Sequence, residues 1–187
     1  MSDIQVYDQF LNEDDFKNLD RIFCQDVATW HYNDHAVYPH DMEPDTDYNF
    51  QFTHSIYRDC QFVSEHHQLV YPILTNLDVK VILRMKFNLG VRTPEIFERP
   101  FHKDYHDVLP ENVPYKVAIF YLNTNNGYTL FESGDKVESV ANRIVIFDGK
   151  LKHCGTSCTN QKNRIVLNIN YIDRPEKNRI QLNVNYH

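Results

Sequence analysis

The 187-residue sequence lacks the features that would place the protein in a membrane. It has no apolar run long enough to span a bilayer. Its amino-terminal segment is interrupted by acidic residues, where a signal peptide would carry a basic and then an apolar region. An excess of positive charge is also missing, since the formal net charge is −7, which argues against nucleic acid or an anionic membrane as the main partner. We therefore expect a cytoplasmic protein without membrane contact.

Cysteine is scarce, and its spacing excludes a zinc knuckle. Of the four cysteines only Cys154 and Cys158 lie close together in the sequence, and no second pair completes a four-ligand site. Because the chain is long enough to bury a substantial core and shows no export signal, we expect free thiols. The sequence also has no internal repeat and no low-complexity tract, so we expect one domain over residues 1–187.

The chain before residue 80 predicts a helical and irregular support. Residues 13–28 have the period of a helix, with Asn12 as the N-cap and apolar side chains on one face. Residues 61–77 show a second helical stripe, with Pro72 as a boundary or kink. Residues 30–54 have no stable period, which indicates a long irregular loop or short edge strands. Their aromatic side chains could form a wall of a substrate site.

From residue 80 onward the apolar pattern changes from a helical period to alternation, which predicts strands. The clearest strands are predicted at residues 81–89, 115–123, 142–148 and 163–172. Weaker candidates are residues 97–104, 128–132 and 180–186. Asn-Gly, Gly-Asp and Asp-Gly pairs mark tight turns between them. Two helices followed by many short strands predict a mainly β fold of the jelly-roll type, with its core over residues 80–187.

Two of these strands divide by parity into an apolar face and a polar face. In the last strand the apolar face comprises Ile165, Leu167, Ile169 and Tyr171, and the other face comprises Arg164, Val166, Asn168 and Asn170. In the first strand the apolar face comprises Leu83, Met85, Phe87 and Leu89, and the other face comprises Ile82, Arg84, Lys86 and Asn88. A polar face points either to water or into an interior that holds a ligand, and the parity pattern leaves both readings open.

A pair of candidate metal ligands, His102 and Asp104, follows the first strand. In an extended segment, side chains two residues apart leave the backbone on the same side, so an imidazole and a carboxylate converge there. A second imidazole, His153, comes downstream and is followed by Arg164. Two imidazoles and one carboxylate on one face of a metal leave positions open, which is typical of non-haem Fe(II) oxygenases.

This ordered set resembles the pattern of the 2-oxoglutarate and Fe(II)-dependent dioxygenases. The matching stretches are His102-Lys-Asp104, residues 147–155 around the distal histidine, and residues 163–168 around the arginine. The helical amino-terminal part is similar to the support of prolyl-hydroxylase-like members. The resemblance implies a double-stranded β-helix, or jelly-roll, fold.

The resemblance also implies the roles of individual residues. His102, Asp104 and His153 would bind Fe(II), and Arg164 would bind the distal carboxylate of 2-oxoglutarate. A guanidinium can make two parallel charge-assisted hydrogen bonds to that carboxylate, so we prefer Arg164 to its rival Lys162, which falls in a predicted turn. Further candidates for the co-substrate pocket are Arg84, Asn88 and Tyr121. A candidate for the rim of the site is His106.

The implied activity is O2-dependent hydroxylation coupled to conversion of 2-oxoglutarate to succinate and CO2. Asp104 stands where halogenating relatives carry Gly or Ala, so hydroxylation is the expected outcome. The expected substrate is a small molecule or a peptide, with a protein prolyl or other amino-acid side chain as the first candidate. Two alternatives stay open: a catalytically silent jelly-roll binding or structural module, and a hydrolase or cupin-type isomerase that uses the same metal ligands without 2-oxoglutarate.

Overall fold

The structure, a computed structural model, describes residues 4–25, 27–37, 48–105 and 113–173. The strands in these ranges are β1 (Ile4–Tyr7), β2 (His31–Asn33), β3 (Gln51–Arg58), β4 (Gln61–Phe62), β5 (Val79–Val91), β6 (Lys116–Tyr121), β7 (Tyr128–Phe131), β8 (Lys136–Glu138), β9 (Arg143–Asp148), β10 (His153–Gly155) and β11 (Asn163–Asp173). The helices are α1 (Glu13–Phe23), a 3₁₀ helix (His67–Val70) and α2 (Tyr71–Asn76).

The strands form two antiparallel sheets. The large sheet has the order β1-β9-β6-β11-β5-β3-β2, with β4 paired to β3, and the small sheet has the order β10-β7-β8. Strands that are neighbours in space are mostly distant in sequence, as β11 between β5 and β6 shows. This arrangement is a jelly roll, so the predicted mainly β fold with supporting helices is confirmed.

Apolar side chains pack on both faces of the large sheet. On the outer face, Phe23 of α1 stacks on Phe87 of β5 with ring centroids 3.8 Å apart, and Ile73 of α2 joins the same buried cluster. A second cluster joins the large sheet to the small one, where Phe131 of β7 meets Phe147 of β9 edge to face. The helices therefore buttress the outer face, and the inner face is directed toward the small sheet.

Both predicted helices are shorter than expected. Asn12 caps α1 as predicted, because its side chain accepts a hydrogen bond from the Asp15 N–H. The helix ends at Phe23 rather than at residue 28, since the chain reverses and the Ala28 N–H donates to the Ile22 carbonyl. The stripe over residues 61–77 was also predicted too long: it contains β4, the 3₁₀ helix and α2, with proline in the first turn of α2.

All four strongly predicted strands are present, as β5, β6, β9 and β11, and β7 corresponds to the weaker candidate at 128–132. The weaker candidate at 97–104 is not a strand, although Glu98 and His102 form isolated bridges there. The candidate at 180–186 lies outside the described residues. Sequence reasoning missed β3, an eight-residue strand between β5 and β2. The description of the first 79 residues as a helical and irregular support is thus incomplete, because they also contribute strands to the large sheet.

The predicted faces hold for β11 and need correction at one end of β5. All four predicted apolar residues of β11 lie in the outer cluster. In β5 the register shifts by one residue, since Asn170 pairs with Arg84 and Tyr171 pairs with Ile82. Because of this bulge, Ile82 packs in the outer cluster and Leu83 packs on the opposite side, contrary to the parity prediction.

The predicted turn after β9 requires glycine because no side chain fits at this position. Gly149 donates its N–H to the Tyr115 carbonyl, and the Tyr115 hydroxyl donates to the Gly149 carbonyl at 2.7 Å. A Cβ atom at this position would lie 2.1 Å from the Tyr115 ring. Any side chain here would therefore displace the tyrosine.

Two expectations from composition can be compared with the structure. No helix among the described residues is long and apolar enough to cross a membrane. The four cysteines, all of them described, are free thiols.

The stacking of α1 on the sheet predicts a large stability loss on truncation of Phe87. Replacing Phe87 with Ala removes the ring that Phe23 covers, and we expect a loss of about 3–5 kcal/mol in the free energy of unfolding from lost burial and a residual cavity. Urea denaturation followed by circular dichroism measures this value. The control is Val81→Ala on the same strand, where the side chain is 49% exposed and the expected change is about 0.5 kcal/mol or less. Equal losses in the two variants would contradict the packing described here.

Candidate metal centre

A cavity of about 720 Å³ lies between the two sheets. Its floor is the inner face of the large sheet, where β5 and β11 run side by side and pair Lys86 with Asn168 and Gly90 with Arg164. Its wall includes His153 and other residues of the small sheet. The polar faces of β5 and β11 therefore point into an interior that can hold a ligand.

Two histidines are brought together at the cavity wall by main-chain pairing. The His102 N–H donates to the His153 carbonyl at 3.0 Å, and the His153 N–H donates to the His102 carbonyl at 3.1 Å. This antiparallel bridge places the two imidazole centroids 4.8 Å apart. A single reciprocal pair of backbone hydrogen bonds thus brings together in space two residues that are far apart in the sequence.

Both imidazoles are held with the same nitrogen free. His102 Nδ1 lies 3.1 Å from the Pro100 carbonyl oxygen, and His153 Nδ1 lies 3.3 Å from the Leu151 carbonyl oxygen. Because a carbonyl oxygen only accepts, Nδ1 carries the proton in each ring and Nε2 keeps its lone pair. A backbone carbonyl that orients the imidazole in this way is the usual outer partner of a histidine bound to metal.

The carboxylate of Asp104 lies beside these rings and is held on both oxygens. Oδ1 accepts from Arg84 Nη2 at 3.1 Å and lies 3.8 Å from His102 Nε2. Oδ2 accepts from Asn168 Nδ2 at 3.1 Å, and Asn168 Oδ1 accepts in turn from Asn170. The side chain is only 5% exposed. The carboxylate is therefore fixed by the floor of the cavity before any ion arrives.

The protonation states of these groups suit metal binding. Burial by itself would raise the pKa of Asp104, but the charge of Arg84, the two imidazoles and the hydrogen bond from Asn168 together hold the pKa well below its usual range. Burial lowers the pKa of His153, against the opposing charge of Asp104. At neutral pH the site consequently presents an ionised carboxylate and a neutral buried imidazole, the forms that ligate a cation.

The donor atoms of His102, Asp104 and His153 all lie within 4.8 Å of one another. One cation can contact all three after small side-chain rotations, and a set of two imidazoles and one carboxylate fits a first-row transition metal better than Ca²⁺ or Mg²⁺. Lys103 also lines the cavity, whereas in a fully extended segment its side chain would leave the backbone on the side opposite to His102 and Asp104; residues 104 and 105 form a turn. The three candidate ligands are thus brought together by the structure.

Arg164 lies on the floor of the same cavity and is 6% exposed. Its Nε donates to Ser139 Oγ at 2.8 Å, and its Nη2 donates to Thr129 Oγ1 at 3.3 Å. Burial lowers its pKa, although a guanidinium stays charged at working pH. No carboxylate among the described residues pairs with it. This buried cation is positioned by neutral hydroxyl groups and has donors left for an anion.

Of the other candidate residues for the co-substrate pocket, two line the cavity and two do not. Arg84 and Asn88 line it, and both contain a buried polar atom without a partner, Arg84 Nε and Asn88 Oδ1. Tyr121 does not line it; instead its hydroxyl donates to Thr129 Oγ1, which also accepts from Arg164. Lys162 is exposed in the turn before β11 and does not line the cavity. The rim candidate His106 lies outside the described residues.

Four cations that line the cavity were not proposed for the site from the sequence, namely Lys86, Arg99, Lys103 and Lys152. Lys86 stood on the predicted polar face of its strand, so the signal was present but was not used. Arg99 lies outside the regular strands, and its N–H donates to the Gly155 carbonyl, which places it beside the small sheet. Burial lowers the pKa of Lys86 to about 8 and that of Arg99 to about 10.

The aromatic wall expected from residues 30–54 is not seen in the described part of that segment. Trp30 meets Phe23 edge to face beside the core. Tyr32 is 58% exposed and packs against Phe50 and Phe52, but none of these rings lines the cavity. The residues of this segment that do line the cavity are Asn33, His35, Ala36, Val37 and Gln51. Tyr38 lies outside the described residues.

No protein-family model and no curated protein matches the sequence, but the fold matches solved structures, among them 2OG-Fe(II) oxygenases and prolyl hydroxylases. A 2OG-Fe(II) oxygenase family oxidoreductase from Burkholderia pseudomallei has a TM-score of 0.64 at 10% identity, covering 90% of this chain and 84% of that one. A Trichoplax adhaerens prolyl hydroxylase in complex with a hypoxia-inducible-factor peptide fragment has a TM-score of 0.63 at 9% identity, covering 92% and 84%.

A viral collagen prolyl hydroxylase from Paramecium Bursaria Chlorella virus-1, in a 2-oxoglutarate complex, has a TM-score of 0.57 at 14% identity, covering 91% of this chain and 97% of that one. These neighbours are 2OG-Fe(II) oxygenases and prolyl hydroxylases. The resemblance inferred from the sequence is therefore confirmed at the level of the fold, over nearly the whole chain.

The ligand set predicts which substitutions affect metal affinity. In Asp104→Ala the anionic donor is lost and Arg84 is left without its carboxylate, so we expect Mn(II) to bind about 100-fold more weakly or worse. The signal of free Mn(II) in electron paramagnetic resonance measures the affinity, and circular dichroism verifies folding. The control is Lys162→Ala, which removes an exposed cation that does not line the cavity and for which we expect the wild-type affinity within about twofold. Wild-type affinity in a folded Asp104→Ala protein would contradict the assigned ligand set.

Proposed function

We propose that this protein is an Fe(II)- and 2-oxoglutarate-dependent dioxygenase that hydroxylates its substrate, with residues 1–187 forming a single oxygenase domain. The observation that carries the proposal is the joint presence, in one jelly-roll cavity, of the His102, Asp104 and His153 donors and the buried guanidinium of Arg164. Either feature alone fits several functions. Together they fit a redox metal and a dicarboxylate co-substrate.

Fe(II) with 2-oxoglutarate bound would supply the oxidising chemistry, in which one oxygen atom of O2 enters a substrate C–H bond and the other enters succinate as CO2 is released. The protein's part is to hold the reactants and limit access of water. His102 and His153 would contribute their Nε2 atoms, because the carbonyl oxygens beside Nδ1 favour the tautomer that leaves Nε2 for the metal. Asp104 contributes a carboxylate that is ionised at neutral pH.

Arg164 is the residue assigned to the distal carboxylate of 2-oxoglutarate. Ser139 and Thr129 hold Nε and Nη2, so the orientation of the guanidinium is set in advance. A Cβ atom at Gly155 would lie 3.4 Å from Arg164 Nη1, in contact with the terminal nitrogen that remains for the ligand. A preorganised and desolvated guanidinium binds a carboxylate more strongly than one in water.

The remaining candidates have supporting roles in this proposal. Tyr121 is a positioning residue, since its hydroxyl bonds to the same Thr129 oxygen that Arg164 uses. Asn88 presents a buried amide on the cavity floor between Lys86 and Gly90, which suits a contact with the co-substrate or an ordered water. Arg84 forms an ion pair with Asp104. We therefore assign it to the positioning of this metal ligand and not to the binding of the co-substrate.

The substrate in this proposal is a peptide or a small molecule. Two of the fold neighbours are described as prolyl hydroxylases, and one of those structures contains a bound peptide fragment. The cavity is large enough for an amino-acid side chain next to the co-substrate, since pockets of several hundred Å³ hold ligands of that size. A prolyl or other amino-acid side chain is therefore the first substrate class to test.

Anaerobic titration of 2-oxoglutarate into the Fe(II)-loaded protein tests the proposal. We expect a visible charge-transfer band that saturates, followed by formation of succinate when O2 is admitted. Arg164→Met should weaken 2-oxoglutarate binding about 30-fold or more, because a charge-assisted contact worth about 2 kcal/mol or more is lost from a buried site. The matched control is Lys162→Met, which removes a cation from the exposed turn two residues away and should leave the affinity unchanged.

A protein that binds Fe(II) but shows neither the band nor succinate would be a silent jelly-roll module or an enzyme that does not use 2-oxoglutarate. A loss of 2-oxoglutarate affinity in Lys162→Met but not in Arg164→Met would reverse the assignment of the anion-binding residue. Manganese affinity, measured in parallel, separates either outcome from a failure to load metal.

A further inference from the structure

The cavity lining carries a surplus of positive charge that contrasts with the acidity of the chain. Six lysine or arginine residues line it, namely Arg84, Lys86, Arg99, Lys103, Lys152 and Arg164. Among the described lining residues Asp104 is the one acidic side chain. The whole chain has a net charge of −7. The lining therefore concentrates cations at one place in an otherwise acidic protein, as expected for a site that binds anions.

Several of these cations already have partners. Arg84 is paired with Asp104, and Lys152 is paired at the exposed edge with Glu132 at 3.1 Å. Arg164 is the residue assigned to 2-oxoglutarate. Lys86 and Arg99 are partly buried, and neither has an anionic partner in the part of the chain that the structure describes.

Lys86 projects from β5 into the cavity close to the metal site. It lies opposite Asn168 in the sheet, and the Asn168 amide donates to the carboxylate of Asp104. No hydrogen bond or ion pair of its ammonium group is found among the described residues. Burial, and secondly the charge of Arg84, lower the pKa of Lys86 to about 8, which leaves the amine mostly protonated at neutral pH. Such a charge is costly to bury unless a ligand compensates it.

Arg99 lies over Gly90, near the carboxyl-terminal end of β5. A Cβ atom at Gly90 would lie 3.2 Å from Arg99 Nη2, so the absence of a side chain there makes room for the guanidinium. Nη2 makes one long hydrogen bond, 3.4 Å, to the Phe50 carbonyl, and Nε is buried with no partner. The charge of Arg164 also acts on Arg99 and lowers its pKa further. Two neighbouring guanidinium groups repel each other, and an anion between or beside them would offset that repulsion.

The metal and the co-substrate do not remove this surplus, because Fe(II) carries two positive charges and 2-oxoglutarate carries two negative ones. We propose that the primary substrate is an anion whose carboxylate or phosphate groups bind Lys86 and Arg99. This inference rests on the proposed oxygenase function and narrows its substrate class. It selects acidic small molecules or acidic peptide segments over neutral ones.

Small probe anions test the proposal without knowledge of the substrate. The protein is loaded with Mn(II) and saturating 2-oxoglutarate, and its melting temperature is followed against acetate, as the carboxylate probe, and sulfate, as the tetrahedral probe for phosphate. Acetamide and dimethyl sulfone are neutral probes of similar shape. At constant ionic strength we expect a saturable increase with at least one anion and none with its neutral counterpart. The anion that binds more tightly identifies carboxylate or phosphate as the substrate group.

Variants connect the effect to the two residues. Lys86→Met and Arg99→Gln should each weaken binding of the anion about tenfold, the loss expected for one charge-assisted contact. The control is Lys80→Met on the same strand, whose ammonium pairs with Asp78 outside the cavity, and it should bind the anion as the wild type does. Equal responses to anions and neutral probes, no response to either anion, or unchanged anion binding in both variants would overturn the proposal.

Binding of 2-oxoglutarate distinguishes a failure of the anion-site proposal from a failure of the proposed oxygenase function. Lys86→Met and Arg99→Gln should retain the 2-oxoglutarate charge-transfer titration of the wild type within about twofold, because Arg164 holds that ligand. Arg99→Gln with tenfold weaker 2-oxoglutarate binding and unchanged anion binding would show that Arg99 serves the co-substrate, against the proposal. Anion binding that depends on both residues in a protein without any 2-oxoglutarate band would sink the oxygenase function and leave the anion site standing.

Discussion

The reciprocal main-chain hydrogen bonds between His102 and His153 are the constraint on which the rest of the site depends. They join an irregular segment to the first residue of β10, and thereby bring together two imidazoles that are far apart in the sequence. The turn that follows this pairing places Asp104 over the cavity floor. Because backbone atoms make the junction, it does not require particular side chains beyond the ligands themselves, and the large sheet only has to supply a matching floor.

The floor of the cavity stabilises Asp104 by charge as well as by shape. Asp104 is buried, and it stays ionised because Arg84 and Asn168 from adjacent strands approach its two oxygens. Removing such a carboxylate from water is unfavourable unless these partners are fixed in advance. The same strands carry Lys86 and Arg164 into the cavity. One pair of neighbouring strands thus provides the two contacts that hold Asp104 and, in the proposed function, the cation for the co-substrate together with a further cation. These roles agree with the three polar residues on the inner face of β11, Arg164, Asn168 and Asn170.

Much of this arrangement could be predicted from the sequence, where local patterns decide the structure. The cap at Asn12 and the two faces of β11 follow from side-chain chemistry and strand parity, and both are observed. The bulge in β5 could not be predicted, because it depends on pairing with β11 at Asn170 rather than on the order of residues in β5. Strand β3 was missed since polar and apolar residues occur on both of its faces.

In the site, too, features set by local sequence patterns could be predicted, and features set by long-range contacts could not. The ordered spacing of the ligands and of Arg164 carries a family signal that needs no coordinates. The role of Arg99 depends on which way a side chain leaves an irregular segment and on the space above Gly90, and neither is encoded in a short pattern. The roles of Ser139 and Thr129 depend on the small sheet folding against the large one, which brings their hydroxyl groups to Arg164. Long-range packing is what local sequence reasoning lacks.

The most direct test of the central claim is a crystal structure of the protein prepared without O2 in the presence of Mn(II) and 2-oxoglutarate. We predict one Mn(II) ion bound by Nε2 of His102, a carboxylate oxygen of Asp104 and Nε2 of His153, with the distal carboxylate of 2-oxoglutarate on the guanidinium of Arg164. Metal held by other residues, or 2-oxoglutarate bound away from Arg164 in a metal-loaded site, would contradict the account.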